Sequence, residues 1–302
     1  MFTLKEGNLA MLLLSICLFC LLSLGVYMLF IEPYRLHATH YFIRKEKQTV
    51  FDISDASDLY REKTSFTFAQ ISDLHFSRWY PPYHLYRVIR QLKKTKPDMV
   101  FFTGDLLDNY AKWPHAKTKK LVEALAKIPA PVGKIAILGN HDYKGNGQYF
   151  VKEVLKQAGF TVLVNNQVYF SNEQISLTVF GLDDAIAGHP EYTFEHTLAK
   201  WQILLTHEPD SIQNVPRLHV FDLVLAGHSH GGQIRLPFYR KRNKGARKYT
   251  HGLYLVTDKT LLAVNTGIGM TMLPARLGVV PTVTYYHLEK EESTIQLVAK
   301  NQ

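Results

Sequence analysis

Strand-like apolar runs and helix-like patterns alternate along the chain between residues 66 and 159. The strand-like runs are FTFAQIS (66–72), DMVFFTG (98–104) and KIAILG (134–139). The helix-like patterns that follow them are HLYRVIRQLKKT (84–95), AKTKKLVEALAKI (116–128) and QYFVKEVLKQAG (148–159). This alternation predicts a mostly parallel sheet covered by helices, in which ligands gather beyond the carboxyl ends of the strands.

The second half of the chain has many strand-like runs with few helical patterns between them. These runs are TVLV (161–164), ISLTVFG (175–181), WQILLTH (201–207), FDLVLAGH (221–228), YLVTD (254–258), TLLAVNTG (260–267) and TVTYYHL (282–288). They predict a second sheet. Because no internal repeat separates the halves, we predict one two-sheet domain over residues 64–302, preceded by a polar connector over residues 32–63.

A long apolar segment lies near the start of the chain. Residues 7–31 contain no charged side chain, and about 25 residues of helix extend roughly 37 Å, enough to cross a hydrocarbon core of about 30 Å. A cleaved signal peptide is the alternative, but its apolar region is only about 7 to 15 residues long. We therefore predict a single membrane-spanning helix over residues 1–31, which anchors the protein in the cell membrane.

The charges that flank this segment favour a cytoplasmic C-terminal domain. Lys5 alone precedes the segment, and the basic residues that follow it are Arg35, Arg44, Lys45 and Lys47. The positive-inside rule places such an excess on the cytoplasmic side. Large domains can override this bias, so both sides of the membrane stay open.

The net charge of +9 is concentrated in one segment. Residues 235–251 hold seven Lys and Arg side chains and no acid. Clustered cations next to a membrane favour binding of the lipid bilayer or of phosphorylated small-molecule or lipid substrates. A solvated loop without a special role is the alternative. We do not expect nucleic acid as a partner, because no aromatic-interleaved groove or separate DNA-binding domain accompanies the charge.

Polar side chains stand where the predicted strands end. They are Asp73, His75, Asp105, Asp108, Asn140, His141, Asp142, His207, His228 and His230. Each cluster alone is compatible with ordinary turn chemistry or a strand-end cap. Ordinary turns do not explain why five apolar strands all end in Asp, Asn or His, and we therefore predict that these side chains converge on one site.

The donor types of these residues suit two divalent metal ions. Imidazole, carboxylate and amide donors without thiolate are typical of Mn, Fe, Zn, Co or Ni sites, and we favour Mn. Asp73 and Asp105 supply only two negative charges against four, so the residual positive charge would attract phosphate and lower the pKa of a bound water. We expect Asp105 to bridge the ions, about 3.5 to 4 Å apart, through its two oxygens.

Two other catalytic motifs are poorly supported by the same region. Residues 227–231 fit the G-x-S-x-G serine motif, but the following GGQIRLPF is a poor helix start, and that motif requires a helix there. The His207-Glu208 pair does not complete a zinc-protease motif because Ser211 stands where a histidine is required. No GxxxxGK[ST] phosphate loop is present in the sequence.

The blocks ISDLH, GDLLDN, GNHD, LLTHEPD and LAGHSHGGQIRLP together resemble the calcineurin-like metallophosphoesterases, and within them the membrane-anchored bacterial phosphodiesterase branch. The resemblance covers roughly residues 65 to 290 and implies an α/β fold arranged as a four-layer α-β-β-α sandwich. It implies two metal ligand sets that share one carboxylate. The first set would be Asp73, His75, Asp105 and His230, and the second Asp105, Asn140, His207 and His228.

The resemblance also implies that His141 is a catalytic residue rather than a ligand, which contacts the substrate phosphate and gives a proton to the leaving oxygen. Asp108 would orient it or, alternatively, only cap a loop. One departure is Val280-Pro281-Thr282-Val283, where relatives commonly have a Pro-Pro-Glu-Ile-like ending. Because this departure touches no expected ligand, it bears on substrate shape rather than on the chemistry.

We therefore expect a membrane-anchored dinuclear-metal phosphoesterase that hydrolyses a phosphodiester or pyrophosphate bond by metal-activated water. The alternatives are a UDP-2,3-diacylglucosamine pyrophosphatase-like enzyme of lipid A synthesis and a non-catalytic phosphate-binding membrane receptor. A protein phosphatase and a nuclease are less favoured. The sequence leaves the natural substrate, the native metal pair and the oligomeric state open.

Overall fold

A computed structural model describes residues 3–45, 50–52, 64–78, 80–173, 175–195 and 197–289 of the chain. Two stacked β-sheets form its centre. Phe68 and Phe101 of one sheet and Val179 and Leu225 of the other belong to the apolar core between them. Alternate side chains of a strand point to opposite faces, so each sheet also has an outer face to cover.

Seven strands form the first sheet within the described part of the chain. They are β1 (His37–Ile43), β2 (Val50–Asp52), β3 (Thr64–Ile71), β4 (Met99–Thr103), β5 (Gly133–Ile137), β6 (Phe160–Val162) and β15 (Thr282–Glu289), in the spatial order β2-β1-β15-β3-β4-β5-β6. Strands β3, β4 and β5 are parallel neighbours. Their carboxyl ends therefore lie at one edge of the sheet, as predicted.

The second sheet contains six strands among the described residues. They are β7 (Asn166–Ser171), β8 (Ser176–Gly181), β9 (Trp201–Leu205), β10 (Leu223–Ala226), β13 (Gly252–Leu255) and β14 (Leu261–Val264), in the order β13-β14-β10-β9-β8-β7. β9 and β10 are parallel. A short hairpin of β11 (Arg235–Leu236) and β12 (Tyr239–Arg240) lies outside both sheets.

Helices cover the outer face of the first sheet. They are α2 (Leu85–Thr95), α3 (Thr118–Ala126) and α4 (Gln148–Gln157), at the positions that the helical spacing predicted. Each turns a buried apolar stripe to the core, for example Val88 and Leu92 in α2. Helix α2 ends at Lys96, whose positive φ of 54° stops the helical hydrogen bonding.

The outer face of the second sheet is covered differently. Among the described residues, 3₁₀ turns at Pro209–Asn214 and Leu218–Val220 and the adjoining loops pack Ile212, Val215 and Phe221 against it. The fourth layer of the sandwich is therefore made of turns rather than of long helices. This agrees with the scarcity of helical patterns in the second half of the sequence.

The N-terminal segment forms one continuous helical rod. Helix α1 (Thr3–Val26) continues through a π-helical turn at Tyr27–Ile31 into a 3₁₀ turn at Glu32–Tyr34. The span Asn8–Tyr34, of 27 residues and mean hydropathy 2.7, is long and apolar enough to cross a membrane. Its apolar window is not buried against the rest of the described structure.

Three sequence expectations need correction. Part of the expected connector, residues 37–43, forms strand β1 inside the first sheet, and β2 at residues 50–52 pairs with it. The TVTYYHL run belongs to β15, which lies between β1 and β3 in the first sheet, and TVLV contributes to the edge strand β6 of that sheet. A run of apolar letters predicts a strand but carries no information on which sheet receives it.

A buried arginine fixes the loop between β14 and β15. Arg276 has no exposed surface, and its guanidinium donates to the carbonyl oxygens of Thr266, Gly267, Gly269 and Val279. Burial lowers the pKa of Arg276 to about 10, so the group stays charged at neutral pH. The hydrogen bonds of this one guanidinium, rather than those of a helix or strand, therefore hold the loop together.

We predict that Arg276→Met destabilises the protein by about 3 kcal/mol or more, because it leaves several buried carbonyl groups without a donor. For a domain of this size, the midpoint of thermal unfolding should fall by roughly 6 to 12 °C. Circular dichroism in detergent measures it, with Arg242→Met as the control because Arg242 is exposed. Equal midpoints for the two variants would contradict the prediction.

Candidate metal centre

The predicted site residues meet where the carboxyl ends of strands from both sheets come together. Asp73 and His75 follow β3, Asp105 follows β4, and Asn140 follows β5. From the second sheet, His207 follows β9, and His228 and His230 follow β10. Hydrogen bonds join the two groups, for example from His207 Nδ1 to the Thr103 carbonyl, at 2.7 Å.

The first expected ligand set is assembled in the structure. The Nε2 atoms of His75 and His230 lie 2.9 Å apart. Asp73 Oδ1 is 3.3 Å from His230 Nε2, and Asp105 Oδ2 is 3.3 Å from His75 Nε2. Two atoms that each lie about 2.1 Å from one ion are separated by about 3.0 to 3.4 Å. These four donors therefore fit a single metal ion.

The second set is assembled beside the first. Asp105 Oδ2 is 3.3 Å from His207 Nε2, and Asn140 Oδ1 is 3.1 Å from His228 Nδ1. His207 Nε2 is buried and, among the described groups, has no hydrogen-bond partner. The other ring nitrogens face carbonyl oxygens, that of Thr103 for His207 and that of Lys244 for His228. Donation to these oxygens leaves the inward nitrogens as acceptors, as a metal requires.

Asp105 differs from the expected bridge in one respect. Its Oδ1 accepts a hydrogen bond from the backbone N–H of His141, at 2.8 Å. Only Oδ2 faces both His75 and His207. The geometry therefore fits a bridge through one carboxylate oxygen rather than through two, because the backbone of the next loop occupies the other oxygen.

The backbone at the site is held in an uncommon conformation. Five of the seven expected ligands have positive φ, namely Asp73 (52°), His75 (43°), Asp105 (62°), His228 (64°) and His230 (48°). Such residues cost about 1 to 3 kcal/mol each and persist where the surroundings fix them. Neighbouring backbone supplies this support, as when the N–H of Asp73 donates to the Gly104 carbonyl.

Asp142 is a site residue to which the sequence analysis gave no role. One of its oxygens accepts from the N–H groups of Asp105 and Gly139, and the other from those of Leu106 and Leu107. Burial, together with the charge of Asp105, raises the pKa of Asp142 to about 7. This side chain clamps the loops after β4 and β5 to each other. Its place in GNHD, two residues after the expected ligand Asn140, was the signal available in the sequence.

The buried carboxylates are stabilised by the imidazoles around them. Burial opposes ionisation of Asp105, but the charges of His207, His141 and His75 hold the pKa of this carboxyl well below its ordinary value. The pKa of Asp73 is also lowered, by His230 against the effect of burial. Burial lowers the pKa of His230 to about 4, so this ring is neutral near pH 7 and able to act as a ligand.

His141 lies at the edge of the ligand sets, next to Asp108. Its Nδ1 is 2.9 Å from the backbone oxygen and 3.2 Å from Oδ1 of Asp108. Burial lowers the pKa of His141, but Asp105 and Asp108 outweigh this effect and raise it above its ordinary value. Lys144, which the sequence analysis did not single out, places its Nζ 2.8 Å from His141 Nε2.

A cleft of about 290 Å³ opens over these groups. Asp105, Asn140 and His141 are among the residues that line it. Lys144, Lys241 and Lys244 also line it, together with the apolar Ile186 and Met272. The cleft thus combines metal-binding donors with three cations, which suits an anionic ligand that has an apolar part.

The serine motif at residues 227–231 is not built as a nucleophile elbow. The segment after Ser229 is a 3₁₀ turn of three residues, His230–Gly232, rather than an α-helix. The Ser229 Oγ accepts a hydrogen bond from the N–H of Gly231. This residue therefore shapes the turn between the two histidines.

A sequence model of the calcineurin-like phosphoesterases matches residues 66–232, and the chain belongs to this family. The resemblance and the fold class expected from the motifs are thereby confirmed. Members of the family use divalent metals, in agreement with the donor clusters described above.

Several bacterial relatives cover most of the chain. The metallophosphoesterase YkuE of Bacillus subtilis is 38% identical over 232 residues, which is 74% of this chain and 79% of the relative. The phosphodiesterase YaeI of Escherichia coli is 30% identical over 72% of this chain and 80% of its own length. The UDP-2,3-diacylglucosamine pyrophosphatase LpxG of Chlamydia muridarum is 28% identical over 66% and 77%.

We predict that Gly139→Ala abolishes tight metal binding although it removes no ligand. A Cβ at residue 139 would lie 2.4 Å from Asp105 Oδ1 and 2.6 Å from His207 Cε1, so both side chains must move. Metal content after dialysis, measured by mass spectrometry, should fall from about two equivalents to less than one. Gly133→Ala, at the start of the strand β5 that precedes Gly139, has only Met99 Cε at 3.9 Å and should keep both metals. Equal metal content in the two variants would refute the steric argument.

Proposed function

We propose that the protein is a membrane-anchored phosphoesterase that hydrolyses a phosphodiester or pyrophosphate bond at a centre of two divalent ions, with Mn favoured. The position of Asp105 Oδ2 between His75 Nε2 and His207 Nε2 carries this proposal, because such an oxygen belongs to two ligand sets at once. Membership of the calcineurin-like phosphoesterases supports it.

The site residues divide the chemistry between them. Asp73, His75, Asp105 and His230 would hold one ion, and Asp105, Asn140, His207 and His228 the other. When bound at these residues, the ions would supply Lewis acidity and lower the pKa of a water that could attack phosphorus. Lys144 and Lys244 line the cleft and would attract the negative charge of the substrate.

His141 is suited to give a proton to the leaving oxygen. It lies next to Asp105 at the lining of the cleft, and its raised pKa favours the protonated ring. Asp108 would orient the ring through Nδ1, and Nε2, which lies 2.8 Å from Lys144 Nζ, would be the nitrogen that reaches the substrate. A catalytic acid whose pKa lies near the working pH fits this role.

The apolar helix supports a membrane location. The backbone N–H of Arg276 donates to the Met28 carbonyl, and the buried Glu32 carboxylate accepts from the N–H of Val279, at 2.7 Å. Cleavage after a signal sequence would remove or disturb these contacts. We therefore propose that the helix is retained and spans the cell membrane once, with the domain on the cytoplasmic side that the basic residues after the helix favour.

The relatives support two kinds of substrate. YaeI is named a phosphodiesterase, and LpxG a UDP-2,3-diacylglucosamine pyrophosphatase. The cleft, which has three lysines and an apolar wall, is compatible with both. We propose a membrane phosphodiester as the first candidate and a UDP-2,3-diacylglucosamine-like pyrophosphate as the second. A non-catalytic receptor is disfavoured because every expected ligand is in place.

We predict that the full chain in detergent hydrolyses bis(p-nitrophenyl) phosphate when Mn²⁺ is added. Asp105→Asn should lose at least about 100-fold in kcat/KM, because the shared anionic ligand becomes neutral. Asp258→Asn, a change of the same kind at an exposed acid, should retain activity. The visible absorbance of the released p-nitrophenolate measures the reaction. Inactivity of the wild type with every divalent ion tried would reject the proposed function.

We predict that the cost of His141→Gln depends on the leaving group. A p-nitrophenolate leaves without a proton, whereas an alkoxide needs one, so an alkyl diester should lose about 10² to 10⁴-fold in kcat and the p-nitrophenyl diester much less. The exposed His219→Gln serves as the control variant. A loss of the same size for both substrates would exclude His141 as the proton donor.

A further inference from the structure

An exposed apolar surface adjoins the mouth of the cleft. Leu236, Phe238 and Tyr239 project from the β11–β12 hairpin, and Met272 and Leu273 from the loop after β14. All five are exposed, and Phe238 is fully so. Single exposed apolar residues are ordinary, but a contiguous group marks an interaction surface. We call these five residues the apolar rim.

Hydrogen bonds make the two parts of the apolar rim one unit. Gln233, just before the hairpin, donates through Nε2 to the carbonyl oxygens of Thr271 and Leu273. The N–H of Arg235 donates to the Leu277 carbonyl, at 2.8 Å. The hairpin and the loop are thus held side by side rather than projecting independently.

The same loop is attached to the end of the N-terminal helix. Arg276 and Val279 bind Met28 and Glu32 through the hydrogen bonds described above. Met272 precedes Arg276 by four residues, a distance of at most about 14 Å of chain. If the helix spans a bilayer, the apolar rim therefore lies close to the surface of the leaflet from which residue 34 emerges.

Aromatic side chains near Tyr34, at the helix end, also indicate that the membrane surface lies at this position. Tyr34 packs against His84, and Arg87 donates to the Tyr34 carbonyl. Tyr83 and Tyr86, next to them, are exposed. Tyrosines concentrate at the interface between membrane and water, where an apolar ring and a polar hydroxyl are both satisfied.

The charges beside the apolar rim are basic. Lys241, Arg242 and Lys244 are exposed, and neither residues 235–251 nor residues 265–288 contain an acid. Each such cation near an anionic leaflet contributes about 1 kcal/mol to binding. Apolar residues flanked by cations match a bilayer that carries acidic headgroups, which favours lipid over a protein partner.

We propose that the apolar rim inserts into the anionic lipid leaflet around the helix end, so that the cleft takes a phosphate-bearing substrate directly from the bilayer. Met272 belongs to the apolar rim, and Lys241 borders it. Both residues also line the cleft, together with His141. A substrate whose acyl part stays in the leaflet would thus reach the metal ligands with its phosphate. The substrate part of this inference rests on the proposed function, whereas the insertion does not.

Tryptophan fluorescence in nanodiscs tests the insertion without turnover. The full chain carrying Phe238→Trp is placed in phosphatidylcholine with about one third phosphatidylglycerol, with or without bromine on the acyl chains. The emission of the added tryptophan, after subtraction of the wild-type signal, should fall by about half or more in brominated lipid. Tyr149→Trp, exposed on helix α4, is the matched control and should not be quenched.

Equal quenching of the two variants would overturn the insertion. Omission of phosphatidylglycerol should reduce the quenching at residue 238, and unchanged quenching would overturn the role of the cations. Because neither result depends on hydrolysis, an inactive protein with a quenched Phe238→Trp would refute the proposed function and leave the insertion standing.

Turnover of a membrane-embedded probe tests the route to the cleft. Leu236→Ser with Phe238→Ser should raise KM for hexadecyl p-nitrophenyl phosphate in vesicles about tenfold, because two apolar anchors are lost. The same variant should leave the KM for soluble bis(p-nitrophenyl) phosphate unchanged, since neither residue lines the cleft. An equal effect on both substrates, or on neither, would contradict uptake from the bilayer.

Discussion

The structure depends on the burial of one carboxylate, Asp105, between imidazoles that come from two different sheets. A buried charge without partners costs several kcal/mol. The charge of Asp105 is compensated by His75, which follows a strand of the first sheet, and by His207, which follows a strand of the second. The stacking of the sheets therefore completes the charge compensation of Asp105, because His75 and His141 follow strands of the first sheet and His207 follows a strand of the second.

The strained backbone at the site holds the side chains of the expected metal ligands in fixed positions. Five ligand residues have positive φ, and the clamp of Asp142 and the close approach of Gly139 leave little room for relaxation. The donors are therefore prearranged before ions bind, and the energy of binding need not be spent on folding loops. Such prearrangement also favours one spacing of the two ions over others.

The sequence predicted which polar residues converge better than it predicted the order of the strands. The convergence of Asp73 and Asp105 could be predicted because strand ends at one sheet edge must meet, and the βα pattern located the helices. The strand at residues 37–43 was missed because HATHYFI mixes polar and apolar residues without strict alternation. The single-oxygen bridge and the role of Asp142 depend on hydrogen bonds from backbone N–H groups. Residue types in a sequence do not show which partners such groups have.

The central position of β15 sets an order of events during synthesis. This strand pairs with β1 on one side and with β3 on the other, although it is made more than two hundred residues after them. While the ribosome is still working, β1 lacks its parallel neighbour, and the apolar helix before it is already available to the translocation machinery. If the helix spans the membrane as proposed, the chain would reach the lipid bilayer before β15 is made, and the first sheet would be completed there.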